Sequence, residues 1–246
     1  MRLIVIRPEP EATRTARALI RLGHEAILSP MLDIVPDPKA PIPARAFQAL
    51  VVTSSNAVRA LAARADNKVA RDLPLFAVGD QTALEAKRAG FRNARSAGGA
   101  LADLVALLSS ELSPEAGPLL YVAGEERAGD LAGELLTRGF EVATAIVYRA
   151  LPAAKLAGVA EAALRADNVD GVLLFSKRSA EAFAGAVRAA GLAPLSKRVA
   201  LYCLSAATAE PLSGLTAGAI AVAHEPNQIS LFALIEDKVA RAGKAH

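Results

Sequence analysis

The strongest constraint on the fold of this chain is the order in which two patterns alternate along it. Short apolar runs of strand length are followed by longer segments whose apolar residues recur at helical spacing. Leu3–Ile6, Leu75–Val78, Leu119–Ala123, Val172–Phe175 and Val199–Leu204 are apolar runs of the first kind. Helical patterns follow at Glu11–Leu22, closed by Gly23, and from the Gly79–Thr82 turn to Ala89, closed by Gly90. Others are predicted over Ala102–Leu112, Arg127–Arg138, Gly158–Ala166, Ser179–Ala190 and Gln228–Arg241. Strand then helix, repeated throughout, predicts an α/β fold with parallel sheets. The strands are apolar without alternation, as expected where helices cover both faces of a sheet.

One stretch sharpens this pattern. Leu50–Leu61 reads LVVTSSNAVRAL, with the strand expected over Phe47–Val52 and its helix running to about Ala65. Between them stand Thr53, Ser54, Ser55 and Asn56, an N-cap cluster whose hydroxyls and backbone N–H groups can face an anion. The device returns as LLFSKRSAEAF at Leu173–Phe183. Two further strand ends carry similar turns: Gly79-Asp80-Gln81-Thr82 and Ser205-Ala206-Ala207-Thr208. Each turn alone is explained by helix capping. Four of them, where an open parallel sheet places its ligands, also suit a ligand with many carboxylates. Arg7, Arg127, Lys177 and Arg178 sit at or after strand ends and either meet such carboxylates or are solvated surface charge.

Composition narrows the classes. A net charge of +3 without a dense Lys/Arg run and interleaved aromatics argues against nucleic acid as partner. No apolar run reaches the roughly 18 residues of a membrane span. The amino-terminal MRLIVIRP reads as a strand rather than a signal segment, so the expected location is the cytoplasm. The single cysteine, Cys203, rules out an intrachain disulfide and reads as a small core residue. His24, His224 and His246 lack metal-ligand spacing, and His24, after a helix-stopping glycine, reads as a surface or strand-entry residue. No Gly-x-Gly-x-x-Gly, P-loop or nucleophile-elbow pattern occurs.

Two extended, Pro-flanked segments, Met31–Val35 and Val147–Leu151, interrupt the alternation, the second after a strand at Glu141–Ile146. Ser96–Gly99 reads as a turn. The two halves also echo one another: Leu19…Gly23-His24-Glu25 matches Leu135…Gly139-Phe140-Glu141, Ser54 matches Ser176, and Thr82 matches Thr208. The repeat alone places a division near Pro114. The paired connectors place it differently, with a middle lobe inserted into a second lobe built from both chain ends. Tyr148, in the second connector, is either a cross-strand packing residue or a phenol that donates to a leaving group. An ordinary phenol keeps its proton at neutral pH.

Taken as an ordered set, RLIVIRP, LVVTSSNAVRAL, FAVGDQTALEAKRAGF, LLYVAGEERAGDLAGELLTRGFEV with the following VY, LLFSKRSAEAF, LYCLSAATAEPL and EPNQISLFALI resemble the uroporphyrinogen-III synthase family over essentially the whole chain. The resemblance implies two flavodoxin-like lobes joined by a two-stranded connector. Lobe 1 would comprise residues 1–32 plus 150–246, lobe 2 residues 37–146, and the connector residues 33–36 and 147–149. It implies dehydrative closure of linear hydroxymethylbilane to uroporphyrinogen III with ring D inverted, without cofactor or metal. The partner implied is that substrate, a linear tetrapyrrole with eight carboxylates. The enzyme is expected to act as a monomer, with room for a transient contact with the preceding enzyme of the pathway. Tyr148 is the expected catalytic residue. Substrate contacts are expected at Arg7, Thr53, Ser54, Ser55, Gly79, Thr82, Gly124, Arg127, Ser176, Lys177, Ser205 and Thr208. Family members often carry Gly-Pro and then a hydroxyl residue before the last of these, where this chain has Ser205-Ala206-Ala207. A two-lobed binding protein without chemistry and an inactive paralogue are the alternatives, and both are separated from the synthase by the isomer produced.

Overall fold

The computed structural model describes residues 1–64, 70–127 and 129–243. In chain order the elements are β1 Arg2–Val5, α1 Glu11–Arg21, β2 Glu25–Leu28, β3 Leu32–Pro36, β4 Ala49–Val52, α2 Ser55–Ala62, β5 Leu75–Ala77, α3 Asp80–Arg88, β6 Ala94–Ser96 and α4 Leu101–Glu111. Then come β7 Leu119–Gly124, α5 Leu131–Leu136, β8 Val142–Pro152, α6 Gly158–Arg165, β9 Gly171–Leu174, α7 Lys177–Ala189, β10 Ala200–Cys203, α8 Ala206–Ala209, β11 Ala219–Val222 and α9 Gln228–Gly243. The chain divides into two compact units. The first is Met1–Asp33 with the chain from Leu151 onward, and the second is Ile34–Ala150.

The first unit carries a five-stranded sheet in the order β11-β10-β9-β1-β2, with its strand pairs parallel. The sheet of the second unit runs β3-β8-β7-β4-β5-β6. From β8 to β6 it too is parallel. When β7 and β8 are matched to β1 and β2, and β4, β5 and β6 to β9, β10 and β11, the two orders coincide. Each is the 2-1-3-4-5 order of flavodoxin-like sheets. The pieces are only rotated in the chain: the first unit begins with its β-α-β pair, and the second ends with it. Ser54 and Ser176 therefore follow equivalent strands, β4 and β9, and Thr82 and Thr208 follow β5 and β10.

Both sheets are buried on two faces. β4, β7, β9 and β10 are buried at every position. On β4, Leu50 and Val52 pack with Ala57, Val58 and Leu61 of α2, while Ala49 and Val51 pack with Leu104, Val105 and Leu108 of α4. Period-two alternation thus divides one strand between two cores. Cys203 is buried in the first unit's core, and burial pushes its thiol pKa up to about 12.

Several boundaries differ from expectation, each for a local reason. The second connector is not separate from the strand before it: Val142–Pro152 is one eleven-residue strand, β8, neighbouring β3. The N–H of Asp37 donates to Val147 O at 2.7 Å and that of Ala153 to Met31 O at 3.0 Å, so this pair runs antiparallel. The helix expected over Arg127–Arg138 starts only at Leu131, because Asp130 caps it by accepting from the N–H of Gly133 at 3.0 Å; residue 128 lies outside the described residues. α7 begins two residues early, since Ser176 rather than a later residue is its cap. The expected turn at Ser96–Gly99 begins as strand β6, paired with β5. β4 is shorter than Phe47–Val52, and the expected end of its helix at Ala65 lies outside the described residues, as does His246. His24 enters β2 as expected but is not a surface residue. It is buried, with Nε2 2.8 Å from Glu236 Oε1 on α9.

At the amino ends of the first unit's strands, Asp170 clasps three of them. Its Oδ2 accepts from the N–H of Arg2 at 2.7 Å, its Oδ1 from Arg198 Nε at 2.8 Å, and its own carbonyl accepts from the N–H of Ala200 at 3.0 Å. Burial raises the pKa of its carboxyl, but the Arg2 N–H and the Arg198 guanidinium outweigh that and leave it below the ordinary 3.8. A depressed carboxylate pKa stabilises the fold above the unfolded value, and the contribution is lost as pH falls through the folded one. Asp170→Asn should lower unfolding free energy at pH 7 by about 1–2 kcal/mol. In urea titrations the gap from wild type should close as pH drops below the ordinary carboxylate range; a gap independent of pH contradicts the assignment.

Candidate functional site

In the second unit the chemistry gathers where β4 and β7 end, the point at which the strand order reverses. Thr53 and Ser54 leave β4 in succession, so their side chains point to opposite faces of the sheet. Thr53 Oγ1 lies 3.1 Å from the Tyr121 hydroxyl. Ser54, extended at φ −148°, caps α2: its Oγ accepts from the N–H of Asn56 at 3.1 Å. The Tyr148 phenol also donates to this Oγ, at 3.2 Å. Ser54 Oγ thus has two donors aimed at its lone pairs, and its own proton is directed elsewhere.

Around this pair, Ser55 Oγ and Thr82 Oγ1 are 3.5 Å apart, which joins the starts of α2 and α3. Arg59 ties the same helices further on, donating to Asn56 Oδ1 at 2.5 Å and lying 3.5 Å from Glu85 Oε2. Gly79 caps α3 in an extended conformation, and an added Cβ would make only ordinary contact, 3.5 Å from Gly99 Cα. Gly124 is different. A Cβ there would fall 2.5 Å from Tyr148 Cζ and 2.8 Å from its hydroxyl oxygen. The Tyr148 ring therefore lies flush on the end of β7, and only glycine admits it. Arg127 is exposed in the loop after β7.

In the first unit, Arg7 follows β1 and stacks over the Phe175 ring at 4.2 Å. Its Nη1 donates to Thr15 Oγ1 and to Gln228 Oε1, each at 3.3 Å. The reversal of strand order in this sheet falls between β1 and β9, so Arg7 and Ser176 flank the equivalent position. Ser176 caps α7, accepting from the N–H of Ser179 at 3.2 Å and donating to Ser179 Oγ at 2.9 Å. Ser205 caps the four-residue α8, accepting from the N–H of Thr208 at 3.3 Å, with Oγ 3.0 Å from Thr208 Oγ1. The Ser205-Ala206-Ala207 run thus keeps a helix cap despite its departure from the family pattern. Lys177 forms an exposed pair with Glu210 at 2.7 Å, and that hydrogen bond raises its pKa.

The candidate residues therefore form two groups, one in each unit. Thr53, Ser54, Ser55, Thr82, Gly124 and Tyr148 form one; Arg7, Ser176, Ser205 and Thr208 belong to the other. Tyr121 and Gln228 were missed in the sequence. Tyr121 reads there as one more apolar strand residue, and Gln228 as the start of a helix. Among the described residues, no group of three or more His, Cys, Asp and Glu side chains is placed to hold a metal ion.

A protein-family model described as uroporphyrinogen-III synthase HemD matches residues 13–233. The chain belongs to the uroporphyrinogen-III synthase family. Solved structures of that name share its fold. The Helicobacter pylori uroporphyrinogen-III synthetase superposes with a TM-score of 0.65 at 20% identity, covering 96% of this chain and 99% of that one. A mutant uroporphyrinogen III synthase from the extremely thermophilic bacterium Thermus thermophilus gives 0.55 at 19% identity, covering 98% and 99%. No curated protein gives a significant sequence match.

The Gly124–Tyr148 contact yields a test. In Gly124→Ala the methyl group displaces the Tyr148 ring and breaks its bond to Ser54. Overpacking of this kind costs about 1–3 kcal/mol. Synthase activity should fall at least as far as in a variant lacking the phenol alone. Full activity in folded Gly124→Ala contradicts this placement of Tyr148.

Proposed function

We infer that this chain is a uroporphyrinogen-III synthase: it closes hydroxymethylbilane to uroporphyrinogen III, with inversion of ring D and loss of water, in tetrapyrrole biosynthesis. The family match over residues 13–233 carries the reaction. The Tyr148–Ser54 hydrogen bond beside a strand-order reversal supports the residue roles we propose.

The substrate brings eight carboxylates, and the strand-end turns offer hydroxyl and N–H donors. We assign carboxylate contacts to Thr53, Ser54, Ser55 and Thr82, with the backbone at Gly79 and Gly124, and to Arg7, Ser176, Ser205 and Thr208. Arg127 and Lys177 take outer positions, because the first is exposed in a loop and the second already pairs with Glu210. One charge-assisted hydrogen bond contributes about 1.5–3 kcal/mol, so several are needed to fix a large flexible anion.

Tyr148 acts on the leaving hydroxyl. The phenol proton turns from Ser54 Oγ to the leaving hydroxyl and is donated as the C–O bond breaks. The pyrrole nitrogen supplies the electron pair, giving an N-protonated azafulvene, a phenolate and water. The substituted carbon of ring D then attacks the new electrophilic methylene to give a spiro intermediate. The bond from that carbon to the methylene it shared with ring C breaks, leaving a second protonated azafulvene on ring C. The other α-carbon of ring D attacks it to close the macrocycle with ring D inverted. When the rearranged ring regains aromaticity it releases a proton, which restores the phenol. The azafulvene also closes unaided to isomer I, so the enzyme's principal contribution is orientation, which can lower a barrier by several kcal/mol. The eight charges keep the substrate in water, and we place the enzyme in the cytoplasm, acting as a monomer.

Freshly made hydroxymethylbilane, converted and separated into isomers, tests the reaction: isomer III should dominate. Isomer I alone, at the spontaneous rate, favours instead a binding protein or inactive paralogue. Tyr148→Phe should slow turnover by roughly 10- to 100-fold without abolishing it, since the substrate ionises without help. An unchanged rate removes Tyr148 from the mechanism.

A further inference from the structure

Tyr121 is a titratable side chain at the site to which the mechanism gives no task. It lies on β7 opposite Val51 of β4 and is only 2% exposed. Its ring packs in the core formed with α4 and α5, whereas the Tyr148 ring packs in the core formed with α2. Thr53 continues the Ala49–Val51 face of β4, and Ser54 the Leu50–Val52 face. Each of the two strand-end hydroxyls thus meets a phenol from its own side of the sheet: Tyr121 for Thr53 at 3.1 Å, and Tyr148 for Ser54 at 3.2 Å.

Proton polarity follows from acidity. A phenol is a far stronger acid than an aliphatic alcohol, so in a phenol–alcohol pair the phenol donates. Tyr121 then donates to Thr53 Oγ1, and the Thr53 proton turns away from Tyr121, toward whatever lies past the strand end. A hydroxyl fixed as a donor suits a carboxylate, which only accepts. A freely rotating hydroxyl would present lone pairs to the carboxylate as often as its proton, and binding would have to arrest that rotation.

We propose that Tyr121 is a positioning residue whose phenol holds the Thr53 hydroxyl as an outward-facing donor for a substrate carboxylate. This rests on the reading that Thr53 contacts the substrate. Tyr121 itself touches no reacting atom, so its removal should weaken binding rather than chemistry.

Steady-state kinetics with hydroxymethylbilane, with unfolding midpoints measured in parallel, test it. Tyr121→Phe keeps the ring and should raise KM about 3- to 10-fold with kcat within about twofold, the pattern of lost uniform binding. Thr53→Val should raise KM by a similar factor, and Thr53→Ser should restore it. The Tyr121→Phe/Thr53→Val double variant should be no worse than Thr53→Val alone, because the two residues act as one unit. A purely structural role would lower the unfolding midpoint and the active fraction while leaving KM in place. If Thr53→Val raises KM and Tyr121→Phe does not, or if their effects multiply, the proposal fails while the carboxylate reading stands. If Thr53→Val itself leaves KM unchanged, the carboxylate assignment at Thr53 fails, and the role of Tyr121 with it.

Discussion

The hydrogen bond from Tyr148 to Ser54 is the interaction on which the rest of the second unit's site depends. It exists because three features coincide. β8 is eleven residues long, and a one-residue register shift against β7, between Ala123 and Gly124, sets Tyr148 rather than Val147 opposite Gly124. Gly124 leaves room for the ring to lie on that end. Ser54, as cap of α2, already accepts the Asn56 N–H, so the phenol, as a second donor, fills its remaining lone pair and directs the Ser54 proton elsewhere. Capping and ligand binding are then not rival explanations for the Thr53–Asn56 turn. The cap orients the hydroxyl, and an oriented donor is what the proposed carboxylate contact needs.

The same logic holds in the first unit with different parts. Ser176 and Ser205 are caps whose hydroxyls are engaged by the N–H groups three residues on. The cationic element there is Arg7, set by Phe175, Thr15 and Gln228. The two sheets share one strand order, rotated in the chain, so the reversal point has been fitted with a phenol in one case and a guanidinium in the other. The proposed proton donor is the phenol, since a guanidinium stays charged.

Much of this was legible in the sequence. Uniformly apolar strand runs marked the parallel α/β class, because burial on both faces leaves no alternation to read. Hydroxyl clusters at strand ends marked the turns, since N-caps follow simple chemistry. What stayed hidden depended on pairing between distant residues. The sequence shows Tyr121 only as an apolar strand residue, and its partnership with Thr53 arises from β4–β7 register. Gly124 carries no turn signal, because its glycine is required by the Tyr148 ring on the neighbouring strand rather than by its own backbone. β6 was missed because a three-residue strand ending beside Gly98 and Gly99 looks like a turn. His24 is legible as a strand-entry residue but not as a buried one, because the carboxylate that meets it lies on α9.

The central claim is that strand-end hydroxyls guide the ring-closing step by holding the substrate's carboxylates in place. Its most direct test is the isomer ratio formed by a Thr53→Val/Ser54→Ala variant in a single turnover, with enzyme in excess over hydroxymethylbilane. The account predicts that bound substrate is still consumed but that isomer I appears alongside isomer III well above the wild-type fraction. Pure isomer III from this variant, at whatever rate, would contradict it.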